Sequence, residues 1–298
     1  MIIDIHNHAD YHNHTVEKLL ANMDKNGIEI TCLMSWEAPC NDYDPSTKNI
    51  FSVLSEYPVP FASCVDYYNF DPNRFLLGFC PDPRRPDAIA RLKSAAATYK
   101  IAICGELKLR MMLDNPDAIR MYRVCGELDL PVLVHIDYEI SYGPGDYPWP
   151  SYWFGGGIEA LERALVLCPE TTFIGHAPGF WAHISGDGRH LTEAYPDGPV
   201  VPGGKVIELL DKFPNLYCDI SAFSGCNALN RDPEFGKQFI TDYQDRIMYA
   251  RDYFDSSHRE LLDGIGLPKD ILDKLYYKNA IQTLNMSSRP DLIELLNG

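Results

Sequence analysis

No stretch of about 18 consecutive apolar residues occurs in the sequence, so no membrane-spanning helix is expected. The start, Met1-Ile2-Ile3-Asp4-Ile5-His6, lacks a basic segment followed by an apolar one, so no secretory signal is expected either. Positive charge is scarce: Lys and Arg total 26 against 42 Asp and Glu, a net charge of −16. A chain so acidic lacks the basic face that displaces counterions, which argues against nucleic acid or an anionic membrane as partner. There is no C-x-x-C motif. The nine cysteines are odd in number, and many sit in apolar runs such as Ile101-Ala102-Ile103-Cys104, which points to reduced core thiols in a cytoplasmic protein. No internal repeat is visible. Hydrophobic residues nevertheless make up 46% and aromatics 12%, enough for a large core and too much for a mainly disordered chain.

Length alone leaves two options. At about 150 residues per domain, 298 residues suggest two domains, but α/β barrels reach about 250 residues or more as one. The order of elements decides. Near-continuous apolar runs fall at residues 2–5, 28–34, 75–79, 101–107, 131–136, 171–175, 215–220 and 246–250. Such runs suit parallel strands covered on both faces. Helical patterns are expected at 15–26, 46–56, 86–99, 116–128, 158–167, 204–213 and 233–243, with 256–264 and 268–284 after the last strand. Eight strand–helix alternations predict an α/β fold, a single (β/α)8 TIM barrel spanning 1–298. A doubly wound open sheet is the alternative, but it normally uses fewer strands. Two long loops, 138–157 and 177–203, follow the fifth and sixth strands, where a barrel builds its site.

Polar residues of one chemical type close several of these runs. His6 and His8 end the first, two apart and therefore on one face of a strand. Glu106 ends the fourth, His135 the fifth, His176 the sixth and Asp252 the eighth. Taken singly, each has a bland reading; Asp252, for instance, could cap the following helix. Together at one rim, imidazoles and carboxylates would lack partners unless a cation sat among them. His6, His8, Glu106, His135, His176 and Asp252 are therefore the candidate metal ligands.

With these residues in place, the chain resembles the amidohydrolase superfamily, in the amidohydrolase-related branch that includes aminocarboxymuconate-semialdehyde decarboxylase and related lactonases. The matching stretches are Asp4-Ile5-His6-Asn7-His8, Pro131-Val132-Leu133-Val134-His135, Gly175-His176, Asn215-Leu216-Tyr217-Cys218-Asp219-Ile220-Ser221, Asp252-Tyr253 and Asn279-Ala280. The resemblance covers nearly the whole chain. It implies a barrel with one or two divalent ions, zinc first, with manganese or iron as alternatives. It also implies Asp252 as a ligand that moves a proton, and Glu106 as the residue that bridges two ions. Family members often dimerise, so a homodimer is a candidate assembly. Two places depart from the branch: Ala250-Arg251-Asp252 replaces Gly-Ser-Asp, and Glu106 stands in a strand that often reads Gly-x-Lys-Leu.

Around the ligands, Arg251, Arg110 and Lys108 are candidate anchors for an acidic small-molecule substrate, since a cationic side chain holds a carboxylate. Salt bridges at the loop surface, or a Glu106–Lys108 pair, are the structural alternatives. Trp36, Trp149, Trp153, Phe180 and Trp181 are candidate pocket walls. His12 and His14 read as loop or substrate-contact residues. The expected activity is metal-dependent hydrolysis of a C–N or ester/lactone bond, with Asp252 as general base and His176 as ligand or carbonyl polariser. Decarboxylation of an unsaturated or aromatic acid is the alternative. A non-catalytic ligand-binding barrel is the third reading.

Overall fold

A computed structural model describes residues 1–39, 42, 57–99, 101–137 and 154–288. Among these residues the eight apolar runs form eight parallel strands: β1 (Ile3–Asn7), β2 (Ile30–Met34), β3 (Phe75–Gly78), β4 (Cys104–Leu107), β5 (Val132–His135), β6 (Phe173–His176), β7 (Leu216–Asp219) and β8 (Ile247–Met248). They pair in chain order, β1-β2-β3 and β4-β5-β6-β7-β8. Main-chain hydrogen bonds cross both seams. Ala102 N donates to Leu77 O (2.8 Å) and Phe79 N to Ile103 O (3.1 Å); Ile5 N donates to Tyr249 O (3.2 Å). This is the expected (β/α)8 barrel.

The helices begin and end where local chemistry requires. In α1 (Val16–Asn26) the Thr15 side chain accepts from Lys18 N, and Gly27 closes the helix at φ 63, a left-handed conformation that glycine adopts without a Cβ clash. α2 (Phe61–Phe70) was not expected from the sequence; it is rich in aromatics and opens behind Pro60. α3 (Ala88–Tyr99), α4 (Pro116–Glu127) and α5 (Ile158–Leu167) fall where predicted. At α4, Asn115 Oδ1 accepts from Asp117 N at 2.8 Å, with Pro116 in the first turn. The helix expected at 46–56 lies outside the described residues.

After β6 the chain makes a four-residue helix, α6 (Pro178–Trp181), then 3-10 turns, before α7 (Lys205–Lys212). Gly179 is required at that entry: a Cβ there would lie 2.1 Å from Asp137 O. α8 (Ala222–Asn230) was also unexpected, its Ser, Gly and Asn content masking it. α9 (Pro233–Asp242) and α10 (Ser257–Gly264) follow as predicted. The final helix is not continuous. It runs as α11 (Lys269–Asp273), a π-helical turn over Lys274–Lys278, and α12 (Asn279–Thr283). There Asn279 donates its side-chain N–H groups to Gln244 O, in the turn before β8, and to Ile247 O of β8, both at 2.7 Å, which ties the last helix to the final strand.

Two apolar layers result. An inner one contains Ile3, Ile5, Cys32, Met34, Leu76, Ile103, Leu133, Ile174 and Met248; an outer one packs the strands against the helices. No helix of the described residues is long and apolar enough to cross a membrane.

Candidate metal centre

Strand periodicity alone would turn His6 away from the face that carries Ile3 and Ile5. The β1–β2 register shifts between Asp4 and Asn7, and this irregularity brings His6 and His8 to the interior just above Ile5. The β4–β5 register shifts likewise between Cys104 and Leu107, and Glu106 follows Ile103 into the barrel. The two strands that hold the front of the cluster therefore both break their pleat immediately before the polar residue.

The six candidate ligands converge at the strands' C-terminal ends. His6 Nε2 lies 3.3 Å from His8 Nε2. Asp252 Oδ1 lies 3.6 Å from His6 Nε2 and 3.2 Å from His8 Nε2. Glu106 Oε2 lies 3.4 Å from His8 Nε2, while its Oε1 lies 2.7 Å from His135 Nδ1 and 3.8 Å from His176 Nε2. Potential donor atoms gather as His6–His8–Glu106, His6–His176–Asp252 and Glu106–His135–His176. Asp252 is held in the left-handed region at φ 64, with its N–H donated to His6 O at 2.8 Å.

Hydrogen bonds behind the cluster fix which nitrogens face it. Asp219 on β7 accepts from His6 Nδ1 (2.9 Å) through one oxygen and from His176 Nδ1 (3.0 Å) through the other. His8 Nδ1 donates to Met34 O at 2.8 Å. A carboxylate and a carbonyl can only accept, so Nδ1 carries the proton in all three rings. Each Nε2 is then a lone pair aimed at the other acceptors, and His176 Nε2 is buried with no hydrogen-bond partner. Lone pairs facing lone pairs and carboxylates require a shared cation. The spacing agrees: donors about 2.0–2.2 Å from one ion lie about 3.3–3.6 Å apart in a tetrahedron. The residues fit a divalent metal.

The titration of these groups reports the same imbalance. Burial alone would lower the His8 imidazole, but Asp252 and Glu106 outweigh it and raise it to about 10, so with no ion bound His8 Nε2 takes up a proton where an ion would displace it. Burial would raise the Glu106 carboxyl, yet Lys108, His135 and His8 hold it well below the usual range. Asp252 is likewise lowered against burial by His6, His8 and His176, and Asp219 by His176 and His6. Carboxylates that stay charged at this depth hold a positive charge in place.

Asp219 belongs to the matched stretch around β7 but was given no role from the sequence. The signal was present, since it too is an acid closing an apolar run. Ser221 Oγ adds a 2.8 Å hydrogen bond to Asp219 Oδ1.

Other sequence expectations are redistributed. Arg251 is fully buried; Nε donates to Asp4 Oδ2 at 2.8 Å and Nη1 to Asn22 Oδ1 at 2.5 Å, which commits two of its three nitrogens to the fold, while Nη2 has no hydrogen-bond partner and the residue borders the cavity beside Asp252. Trp181 is also buried, its N–H on Asp219 O at 3.0 Å, bracing β7 from behind instead of walling the pocket. Phe180 is core. Lys108 lies with Nζ 4.6 Å from the Trp36 ring centre and 5.8 Å from that of Phe154, a cation–π arrangement from which its charge still acts on Glu106. Arg110 donates its main-chain N–H to Asp42 Oδ2 at 3.0 Å. His12 lines a cavity beside Asp252, whereas His14 is buried against Phe254. Asp252 does not cap the following helix, whose N-cap is Ser256. Trp149 and Trp153 lie outside the described residues.

A family model described as Amidohydrolase matches residues 3–286. The chain belongs to the amidohydrolase family. A search of curated proteins found no match. Solved structures match over nearly the full length at low identity. A 2,6-dihydroxybenzoate decarboxylase from Rhizobium is 14% identical, with 96% of this chain and 99% of that one covered and a TM-score of 0.60. A probable 2-pyrone-4,6-dicarboxylic acid hydrolase from Acinetobacter baumannii is 13% identical, with 95% and 99% covered and a TM-score of 0.59. A dihydroxybenzoic acid decarboxylase from Polaromonas sp. JS666, with bound manganese, is 16% identical, with 93% and 87% covered and a TM-score of 0.55. At these identities the likeness is one of fold. The family contains both hydrolases and decarboxylases.

Proposed function

We propose that this amidohydrolase-family enzyme hydrolyses a C–N or ester/lactone bond of a small molecule, using one or two divalent ions, with zinc the first candidate. One observation carries the reading. Glu106 divides its two oxygens between two groups of nitrogens, His8 on one side and His135 with His176 on the other. A carboxylate placed so can serve two ions, which suits activation of water more than a single-ion decarboxylation. His6, His8 and Asp252 would hold one ion, and His135 and His176 the other. A bound divalent ion supplies Lewis acidity, lowering the pKa of water toward about 7 and polarising a carbonyl.

The chain's own residues do the rest. Asp219 keeps His6 and His176 in the tautomer that presents Nε2. Asp252 keeps one edge in the cluster and is charged, so it can accept a proton from water. The water oxygen attacks the carbonyl carbon, the C–N or C–O bond breaks, and the proton passes from Asp252 to the departing nitrogen or oxygen.

Metal analysis combined with a substrate screen tests the proposal. Up to two ions per chain, and turnover of a lactone, ester or amide lost on chelation and restored by added zinc or manganese, are expected. One ion per chain with carbon dioxide released from a carboxylated aromatic would replace the hydrolase by a decarboxylase. A chain that binds no ion after purification without chelator, even on zinc addition, would be a non-catalytic barrel.

A further inference from the structure

A cavity of about 440 Å³ opens beside the cluster, within the roughly 300–1,000 Å³ of small-molecule sites. Tyr11, His12, Phe223, Tyr253 and Phe254 line it together with Asp252. The rings brace one another. Tyr253 stacks on Phe254 at 5.1 Å and 9°, Tyr11 meets Tyr253 edge-on at 5.7 Å, and His12 lies 4.6 Å from Tyr253. The turn beneath is held in place: Asp10, His12 and Asn13 adopt left-handed φ of 59°, 51° and 57°, and the Tyr67 hydroxyl lies 2.9 Å from His14 O and 3.1 Å from Asp10 Oδ1. This wall is preorganised. Yet Phe223 is 61% exposed and Tyr253 39%, large apolar faces left in water next to a charged cluster.

Asp252 belongs to both places. Its Oδ1 is in the donor cluster, and the same side chain forms part of the cavity wall. A group that hands over a proton must come within about 2.6–3.2 Å of the atom that receives it. The departing atom therefore sits at Asp252, and whatever it carries extends among the rings. From this placement we infer that the cavity is the leaving-group subsite and takes an aromatic amine or alcohol. Asp255 and Arg251 also border the cavity, one of each charge, so the rings rather than a net charge select what enters. The inference rests on the hydrolase reading above and adds the substrate's leaving half to it.

The test uses the metal-loaded protein, with benzyl alcohol and propan-1-ol as probes titrated by NMR. Phe223→Ala and Tyr253→Ala, both at exposed rings, are compared with the unaltered chain, and circular dichroism checks their fold. Benzyl alcohol should bind at least about tenfold more tightly than propan-1-ol. Each variant should weaken benzyl alcohol about three- to tenfold, as loss of one aromatic contact does, and leave propan-1-ol unchanged. Equal affinities for the two alcohols, or ring selectivity that survives both substitutions, overturns the inference. Matched benzyl and propyl esters and amides separate it from the hydrolase reading. Turnover without a benzyl preference removes the subsite and keeps the hydrolase. Ring-selective binding without turnover of any ester or amide removes the hydrolase, and with it the leaving-group role.

Discussion

Two buried polar networks meet at the rim of this barrel, only one residue apart in the chain. One runs through Asp252, His6, His8, Glu106, His176 and Asp219. The other joins Arg251, Asp4, Asn7 and Asn22. Both are built from carboxylates set into the rim: Asp4, Glu106 and Asp219 have almost no access to water, and Asp252 keeps one edge at the cavity. In the second the cation is part of the chain: Asp4 receives Arg251 Nε, the Arg251 main-chain N–H and Asn7 Nδ2. In the first every Nδ1 is already committed, so acceptors face acceptors and the positive charge has to come from outside. A network that carries its own cation makes structure, and one that lacks it makes a binding site.

The sharpest break of this comparison is at Asp252. Asp252→Asn keeps the shape but removes the group that accepts and returns the proton. A loss of about 10²–10⁴ in kcat/KM is expected, with folding stability nearly unchanged. Steady-state kinetics on metal-loaded protein read the first and urea unfolding the second; unaltered turnover would sink the proton role. One residue earlier, the signs reverse. Arg251→Met leaves Asp4 buried without its cation, at a cost of about 3–5 kcal/mol by urea unfolding, while metal content per folded chain holds. Adding Asp4→Asn to that variant should recover much of the loss. A cost under about 1 kcal/mol would mean that Asp4 does not depend on Arg251 for its counter-charge.

Much of this was legible in the sequence, for a physical reason. Parallel strands covered on both faces read as apolar runs, and residues at their C-terminal ends face the site, so His6, His8, Glu106, His135, His176 and Asp252 could be picked out before any coordinates. What escaped depends on contacts between distant elements. Nothing local reveals that β1 and β4 break register just ahead of His6 and Glu106, although strict alternation gives the wrong face without it. Arg251 looks like a substrate anchor until Asp4, at the other end of the chain, is seen to hold it. Trp181 looks like a pocket wall until its indole is seen bonded behind β7. α8 hid behind a composition that propensity disfavours, and tertiary packing overrode it.

His14 sharpens the contrast by lying outside both networks. It is as buried as His8 but has no carboxylate hydrogen-bonded to its ring. Burial lowers its imidazole to about 4, only partly opposed by Thr15 and Asp10 and reinforced by His8 and His12. In the unfolded chain the ring titrates near 6.5. Between those values the unfolded state binds the extra proton, so stability is fully present above about pH 6.5 and falls as the pH drops toward 4, by up to about 3 kcal/mol. His14→Leu should flatten that part of the stability–pH profile by a comparable amount, measured by urea unfolding from pH 7 to pH 4. An unchanged slope would show that His14 is not the buried neutral base described.

The smallest expected effect is the most diagnostic for the open network, because it acts without touching a ligand atom. Asp219 is acceptor-only and serves two rings at once, His6 at 2.9 Å and His176 at 3.0 Å. Asparagine has one carbonyl oxygen and one NH2, so Asp219→Asn can accept from only one of them. The other Nδ1 then faces a donor and must become the acceptor. That ring's proton moves to Nε2, and the nitrogen that pointed its lone pair at the ion now points a hydrogen at it. One histidine ligand is lost by a change of tautomer, with every distance nearly preserved. Metal affinity should fall about 10- to 100-fold in a competition titration against a chromophoric chelator. Ser221→Ala removes a hydrogen bond from the same carboxylate but leaves both imidazoles served, so it should shift affinity far less. If Asp219→Asn bound metal as tightly as the unaltered chain, the tautomers would not be set by Asp219, and the case for an open acceptor network at this rim would fall with it.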